Sequence, residues 1–234
     1  MFSFVRYQLI SFIQSLKFIP PTAIFFVWVF ILYAYKNVPI LSSYGASSIA
    51  MYVILTWVTM SIFTLEEENE KHMLMLNLGG KIKYLLGKWI TILLVIIPFL
   101  LLAVFFPIVT ESFKGTMRLE LYGMAFYSHF VFSILGMIVG TLFSATKFAT
   151  RKYSWLLAVF TIVISISSKS LIEISTYFKW ISWMLPPVFK VIEHMEGGDE
   201  ILLRESMMLD TFFVFAYLFI GATILIPLFR KKES

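Results

Sequence analysis

Cysteine is absent from this chain, so no disulfide can form and no thiolate can serve as nucleophile or metal ligand. Charge is scarce as well: Asp, Glu, Lys and Arg make up 14% of 234 residues, against about 25% in an ordinary soluble domain. Histidine occurs only at His72, His129 and His194, positions that fall in different predicted segments and cannot readily meet at one metal. A phosphate-binding P-loop is missing too. That motif needs Gly, four residues, then Gly-Lys-Ser/Thr, so that backbone amides and the lysine hold phosphates. The nearest match, Gly80 to Gly87-Lys88, has six intervening residues and is followed by Trp89, so the chain cannot power a process with ATP by itself.

What is abundant is apolar surface. The chain is 59% hydrophobic and 18% aromatic, with a mean hydropathy of +0.87. One soluble core cannot absorb that excess, whereas helices immersed in lipid need apolar residues on every side. Stretches of about 17–25 apolar residues, the length that spans a bilayer, occur at 18–36, 46–65, 89–110, 123–146, 153–172 and 210–229. The fifth is diluted by Ser165, Ser167, Ser168 and Lys169. The fold class expected is an all-α integral membrane protein of six transmembrane helices, forming one domain over 1–234. Of nineteen basic residues, twelve gather on the side of both termini and of the loop after the second span, and seven on the other. The richer side is expected to be cytoplasmic, with both termini inside. The net charge of +5 is thus a topology signal and does not call for a nucleic-acid partner.

Two segments outside the spans carry information. Over 1–17, Phe2, Val5, Leu9, Phe12 and Leu16 recur at helical spacing, with Ser3, Arg6, Gln14 and Lys17 elsewhere, which predicts an amphipathic interfacial helix that Pro20 and Pro21 break off. The loop 66–88 opens with Glu66, Glu67, Glu68 and Glu70, where acids favour a helix N-terminus. It continues through Met73, Leu74, Met75, Leu76 and Leu78, stops at Gly79-Gly80, and ends with Lys81, Lys83 and Gly87-Lys88. A short helix lying across the cytoplasmic face is expected, its acids exposed to water. An apolar run in such a loop asks for a partner surface.

In this order of parts the chain resembles the permease subunit of ABC transporters of the type-2 exporter class: a surface helix, two spans, a Glu-rich loop ending in Gly-Lys, and four more spans. The matching loop elements are Glu66–Glu70, Met73–Leu78, Gly79-Gly80 and Gly87-Lys88; the family more often has Ser-Pro where Gly79-Gly80 stands. The resemblance implies a coupling helix that docks on a separate ATPase, with Glu66, Glu67, Glu70, Met73, Leu74, Leu76, Gly79 and Gly80 as its residues. It implies that ATP and Mg are bound by that partner, with no cofactor in this chain. A second permease subunit, the same chain or another, and membrane lipids are the further partners expected. The location implied is a bacterial plasma membrane. The segment 169–209 would supply outer re-entrant helices before the last span. Ile174, Phe178, Ile181 and Leu185 form a stripe there, with Trp180, Trp183 and a Pro186-Pro187 turn.

Cargo of an amphipathic or hydrophobic kind, such as a peptide, would suit the abundance of Phe and Met, although lipid contact accounts for it equally. Gly136 and Gly140, four apart, with Ser144 four further on, suit close helix packing, either within the chain or across a dimer. His129, at membrane depth, and Glu173, near an outer end, are candidates for a substrate route. A metalloprotease reading of Glu66-Glu67 fails because converging histidines are lacking. The alternative to an exporter subunit is a membrane sensor or immunity protein that sequesters a ligand without transport.

Overall fold

A computed structural model describes residues 1–147, 152–174, 183–196 and 207–233. Helices α1 (Phe2–Gln14), α2 (Ile19–Leu32), α3 (Ile40–Phe63), α4 (Glu68–Asn77) and α5 (Lys81–Val109) are followed by α6 (Leu119–Ala145), α7 (Ser154–Ile166), α8 (Ser168–Ile174), α9 (Val188–Glu193) and α10 (Met207–Lys232). No strand occurs among the described residues. One isolated bridge, Val38 with Phe113, ties the α2–α3 and α5–α6 connections through Val38 N–H to Ser112 O at 3.0 Å and Lys114 N–H to Val38 O at 3.2 Å.

Four helices, α3, α5, α6 and α10, are each long and apolar enough to cross a membrane. The pairs α1–α2 and α7–α8 qualify only together, bent by 76° and 64°, so the protein has four to six candidate spans. The first run, 18–36, is only 14 residues of continuous helix in α2. At about 1.5 Å per residue that falls short of the roughly 30 Å hydrocarbon layer. Pro20 and Pro21 do not break the chain ahead of α2; they occupy its first turn, where a missing N–H costs nothing. The break comes earlier, at Leu16, whose φ is +58°. The fifth run, 153–172, is interrupted at Ser167 by the α7–α8 bend. Of the apolar stripe predicted over 174–185, Phe178 and Ile181, with Trp180, lie outside the described residues.

The centre of the molecule is the parallel pair α3 and α6, in which Ser48 meets Ser128, Tyr52 meets Gly136 and Thr59 meets Gly140. Two thirds of each span is buried (67%), against 33% of α5 and 22% of α10. The two outer helices are the more apolar ones. That inverts the rule for water-soluble proteins and matches a chain whose outside is lipid. Small residues make the central pair close. A Cβ on Gly136 would stand 2.8 Å from Tyr52 O, and one on Gly140 would stand 2.6 Å from Thr59 Cβ and 2.8 Å from Thr56 O. The Gly-x-x-x-Gly face therefore packs on α3 of the same chain. Ser144, one turn on, donates to the Gly140 carbonyl at 2.5 Å and offers its own carbonyl to Lys232 Nζ at 2.9 Å.

Candidate functional site

The end of the bundle that carries α4 holds a polar joint sealed among aromatic rings. Lys88, in the second turn of α5, is fully buried, and the Glu66 side chain opposite is 3% exposed. Lys88 Nζ donates to Glu66 Oε1 at 2.7 Å and Oε2 at 2.6 Å, to Gln8 Oε1 at 2.7 Å and to the Ile62 carbonyl at 2.7 Å. Tyr84 OH donates to Glu66 Oε2 at 3.2 Å, and Gln8 Nε2 donates to Glu66 Oε1. The Lys88 ammonium also lies 5.4 Å from the Tyr84 ring centre and 5.9 Å from that of Phe63. The ammonium and the carboxylate are thus paired and further hydrogen-bonded, the condition under which buried charge is tolerated.

This joint gathers four elements at one point: α1 through Gln8, the end of α3 through Ile62, the entry to α4 through Glu66, and α5 through Lys88. Gly87 lets α1 reach it. A Cβ there would fall 2.4 Å from Cδ1 of Phe4, so the ring of α1 rests directly on α5 backbone. The adjacent Gly-Lys pair therefore has two distinct duties, close approach for glycine and charge pairing for lysine. Outer ties reinforce the joint. Lys17 Nζ donates to Thr64 O at 2.9 Å, Tyr7 OH donates to Glu70, and Lys71 pairs with Glu233 at the end of α10.

Glu66 departs from the expectation of a solvent-facing acid, because Lys88 draws it inward ahead of the helix start. Glu67 is the N-cap residue of α4, and Glu68 and Glu70 fall in its first turn, where the helix dipole favours negative charge. At the far end Gly79 has φ +76° and Gly80 φ +139°. Gly80 N–H donates to Met75 O at 2.9 Å and Gly79 N–H to Leu76 O at 3.0 Å. This is the Schellman pattern, which satisfies the last carbonyls and needs a residue without Cβ. Met75 points inward, clustered with Phe4, Tyr84, Leu85, Ala145 and Phe229, and Leu74 and Leu78 pack against that cluster. Met73 and Leu76, three apart, point outward at 65% and 81% exposure.

The two faces of α1 are likewise sorted by geometry. Val5 and Phe12, which sequence spacing groups with Phe2 and Leu16, are buried together with Phe4 and Gln8, while Phe2 and Leu16 stay exposed. Apolar residues thus divide between a protein-facing stripe and an outward one. Sequence spacing did not single out Gln8, and it gave Lys88 only as the basic end of the loop, not as a buried partner of Glu66. Their signal was a lysine between Leu85, Leu86, Trp89 and Ile90, and a glutamine at the spacing of the buried face of α1.

The other candidates lie apart from this joint. His129 is fully buried between α3 and α6. Its Nδ1 is 2.7 Å from the Ala125 carbonyl, which can only accept, so Nδ1 carries a proton, and Nε2 lies 2.9 Å from Ser47 Oγ. Ser48 Oγ donates to Ser128 Oγ at 3.0 Å beside it. His129 thus has a partner at each ring nitrogen, as a packing histidine would. Glu173 is exposed on the short α8. No cluster of three metal-ligating side chains occurs among the described residues. Comparison of the chain with protein-family models, with curated proteins and with solved structures gives no match.

Proposed function

We propose that this chain is the transmembrane subunit of an ABC exporter, driven by a separate ATPase and forming a route for amphipathic or hydrophobic cargo, peptides foremost. The observation that carries the reading is α4: a capped helix of 10 residues that leaves Met73 and Leu76 exposed while its other face is fixed to the bundle. A helix anchored on one side, with two apolar side chains standing out among polar ones on the other, suits a lever pressed by a partner. In this reading α4 is the coupling helix, α1 lies in the headgroup layer with Phe2, Ile13 and Leu16 toward lipid, and both termini face the cytoplasm. ATP and Mg belong to the partner, and a second permease subunit completes the route.

Changing Met73 and Leu76 together to Asp places two charges where apolar contact with the ATPase is expected. Burying each original side chain contributes about 1.5–3 kcal/mol, so the double variant loses the ATPase on co-purification from detergent while retaining its melting temperature. Retention of the ATPase and of ATP-driven transport by that variant would exclude α4 as the coupling element. Failure of any ATPase to co-purify with the unaltered chain would instead favour a ligand-sequestering membrane protein.

A further inference from the structure

A concave site of strongly one-signed charge opens where the turn between α4 and α5 meets the end of α10. Lys81 and Lys83 come from the first turn of α5, and Arg230 and Lys231 from the last turn of α10. Gly79, Gly80, Ile82 and Pro227 complete the lining, which includes no carboxylate. The Lys83 ammonium folds back over the turn and lies 3.4 Å from the point that a Cβ on Gly79 would occupy. Among the described residues, the salt bridges found leave Lys81, Lys83 and Arg230 without a carboxylate, and Glu233, the acid just beyond, is engaged by Lys71. The first-turn amides of α5 add N–H groups that have no acceptor within their own helix.

Apolar surface leads away from this site along both helices. On α5 the exposed side chains Ile82, Leu86 and Ile90 follow one another at four-residue steps. On α10 Pro227, beneath Lys231, leads on to the exposed Ile224 and Ile220 at three- and four-residue steps. A soluble phosphate needs the cations alone. Cations above two apolar stripes at the end of candidate spans fit a molecule with an anionic head and long hydrocarbon chains.

We infer that this pocket binds one anionic phospholipid, its phosphate held by Lys81, Lys83, Arg230 and Lys231 at the start of α5 and an acyl chain lying along Ile82 and Leu86. The lipid bridges α5 and α10 beside α4, and it does so whether or not an ATPase docks there. The geometry differs from a general attraction of basic residues to the membrane surface, because four cations from two helices converge on one depression.

Native mass spectrometry of the purified protein in neutral detergent tests the assignment. The probes are phosphatidylglycerol and phosphatidylcholine with identical chains. One phosphatidylglycerol should bind in preference to phosphatidylcholine. Lys81→Gln with Lys83→Gln, and separately Arg230→Gln with Lys231→Gln, should each weaken that binding, by about fivefold for each charge removed. The charge-matched control, Lys147→Gln with Lys152→Gln, should leave it unchanged. Glycerol 3-phosphate, which has the head without the chains, should not displace the lipid at equal concentration. An undiminished preference in both double variants overturns the inference, as does an equal loss in the control, which would mean diffuse surface charge. Displacement by glycerol 3-phosphate would make this a free-phosphate site and overturn the lipid assignment. Because the two double variants lie on different helices, misfolding of one leaves the other to decide.

Discussion

Two regions of this protein hold helices together by opposite means. Along α3 and α6 the attachment is made by absence: Gly136 and Gly140 have no side chain, and the backbone of Tyr52 and Thr56 and the side chains of Leu55 and Thr59 fill the space. At the α4 end it is made by a single cation, with Lys88 holding Glu66, Gln8 and the Ile62 carbonyl at once. The first contact is spread over many van der Waals pairs of small individual worth, and it tolerates no added atom. The second is concentrated in one group, directional, and fails if either charge is lost. A seam of the first kind suits a fixed scaffold. A joint of the second kind suits a place where several elements must keep a defined relation while a force is applied.

The comparison breaks first at Lys88. Replacing Lys88 with Met strands Glu66 in a closed apolar surround, and removal of one partner from a buried pair costs about 3–5 kcal/mol. Thermal unfolding in detergent should show the largest drop of any single change at this end. Adding Glu66→Leu to that variant should restore most of the loss, since an apolar pair of similar volume replaces a buried ion pair at little cost. A Lys88→Met protein as stable as one carrying the solvent-exposed change Glu67→Gln would show that the joint contributes nothing.

The seam gives the next effect. Gly140→Leu pushes a side chain into Thr59 and the Thr56 carbonyl, and overpacking of this kind costs about 1–3 kcal/mol. No second-site apolar replacement on α6 should rescue it, whereas shortening Thr59 to Gly should recover part of the loss in the same unfolding measurement. Full stability in Gly140→Leu would mean that α6 can shift away from α3 freely. A smaller change sharpens the contrast: Gln8→Leu removes one acceptor from Lys88 and one donor from Glu66 but leaves the ion pair intact. Its cost should be about 1 kcal/mol, the net worth of an ordinary hydrogen bond. A loss as great as that of Lys88→Met would make α1, not the ion pair, the mainstay of the joint.

Much of this was legible in the sequence. Composition and run length give an all-helical chain with several helices apolar enough to cross a membrane, because lipid imposes one requirement, apolar residues all round, that no neighbour can alter. The loop helix and its glycine stop were legible because acids at a helix start and a residue with positive φ at its end are local demands. Glu66 was misplaced because its burial depends on Lys88, which approaches it only after α4 turns back into α5. The joining of Gln8 to both is a matter of tertiary geometry that no local pattern contains. The division of α1's apolar residues into two stripes had the same cause: spacing shows which residues share a face, and the neighbour, here α5 at Gly87, decides which part of it is covered.

The α3–α6 seam also bears on how the protein is made. The polar side of α3, with Ser47, Ser48, Thr56 and Thr59 buried in the finished fold, leaves the ribosome before the helix that covers it exists. Between them comes α5, apolar enough to enter lipid without help. The order of synthesis therefore separates the two halves of the core, and α3, the less apolar of the first two long helices, is expected to stay beside the insertion machinery until α6 arrives. Nascent chains stalled after α5 should crosslink to the translocon through α3, and chains stalled after α6 should have lost that crosslink. Release of α3 into lipid before α6 is synthesised would show that its hydroxyls need no waiting partner.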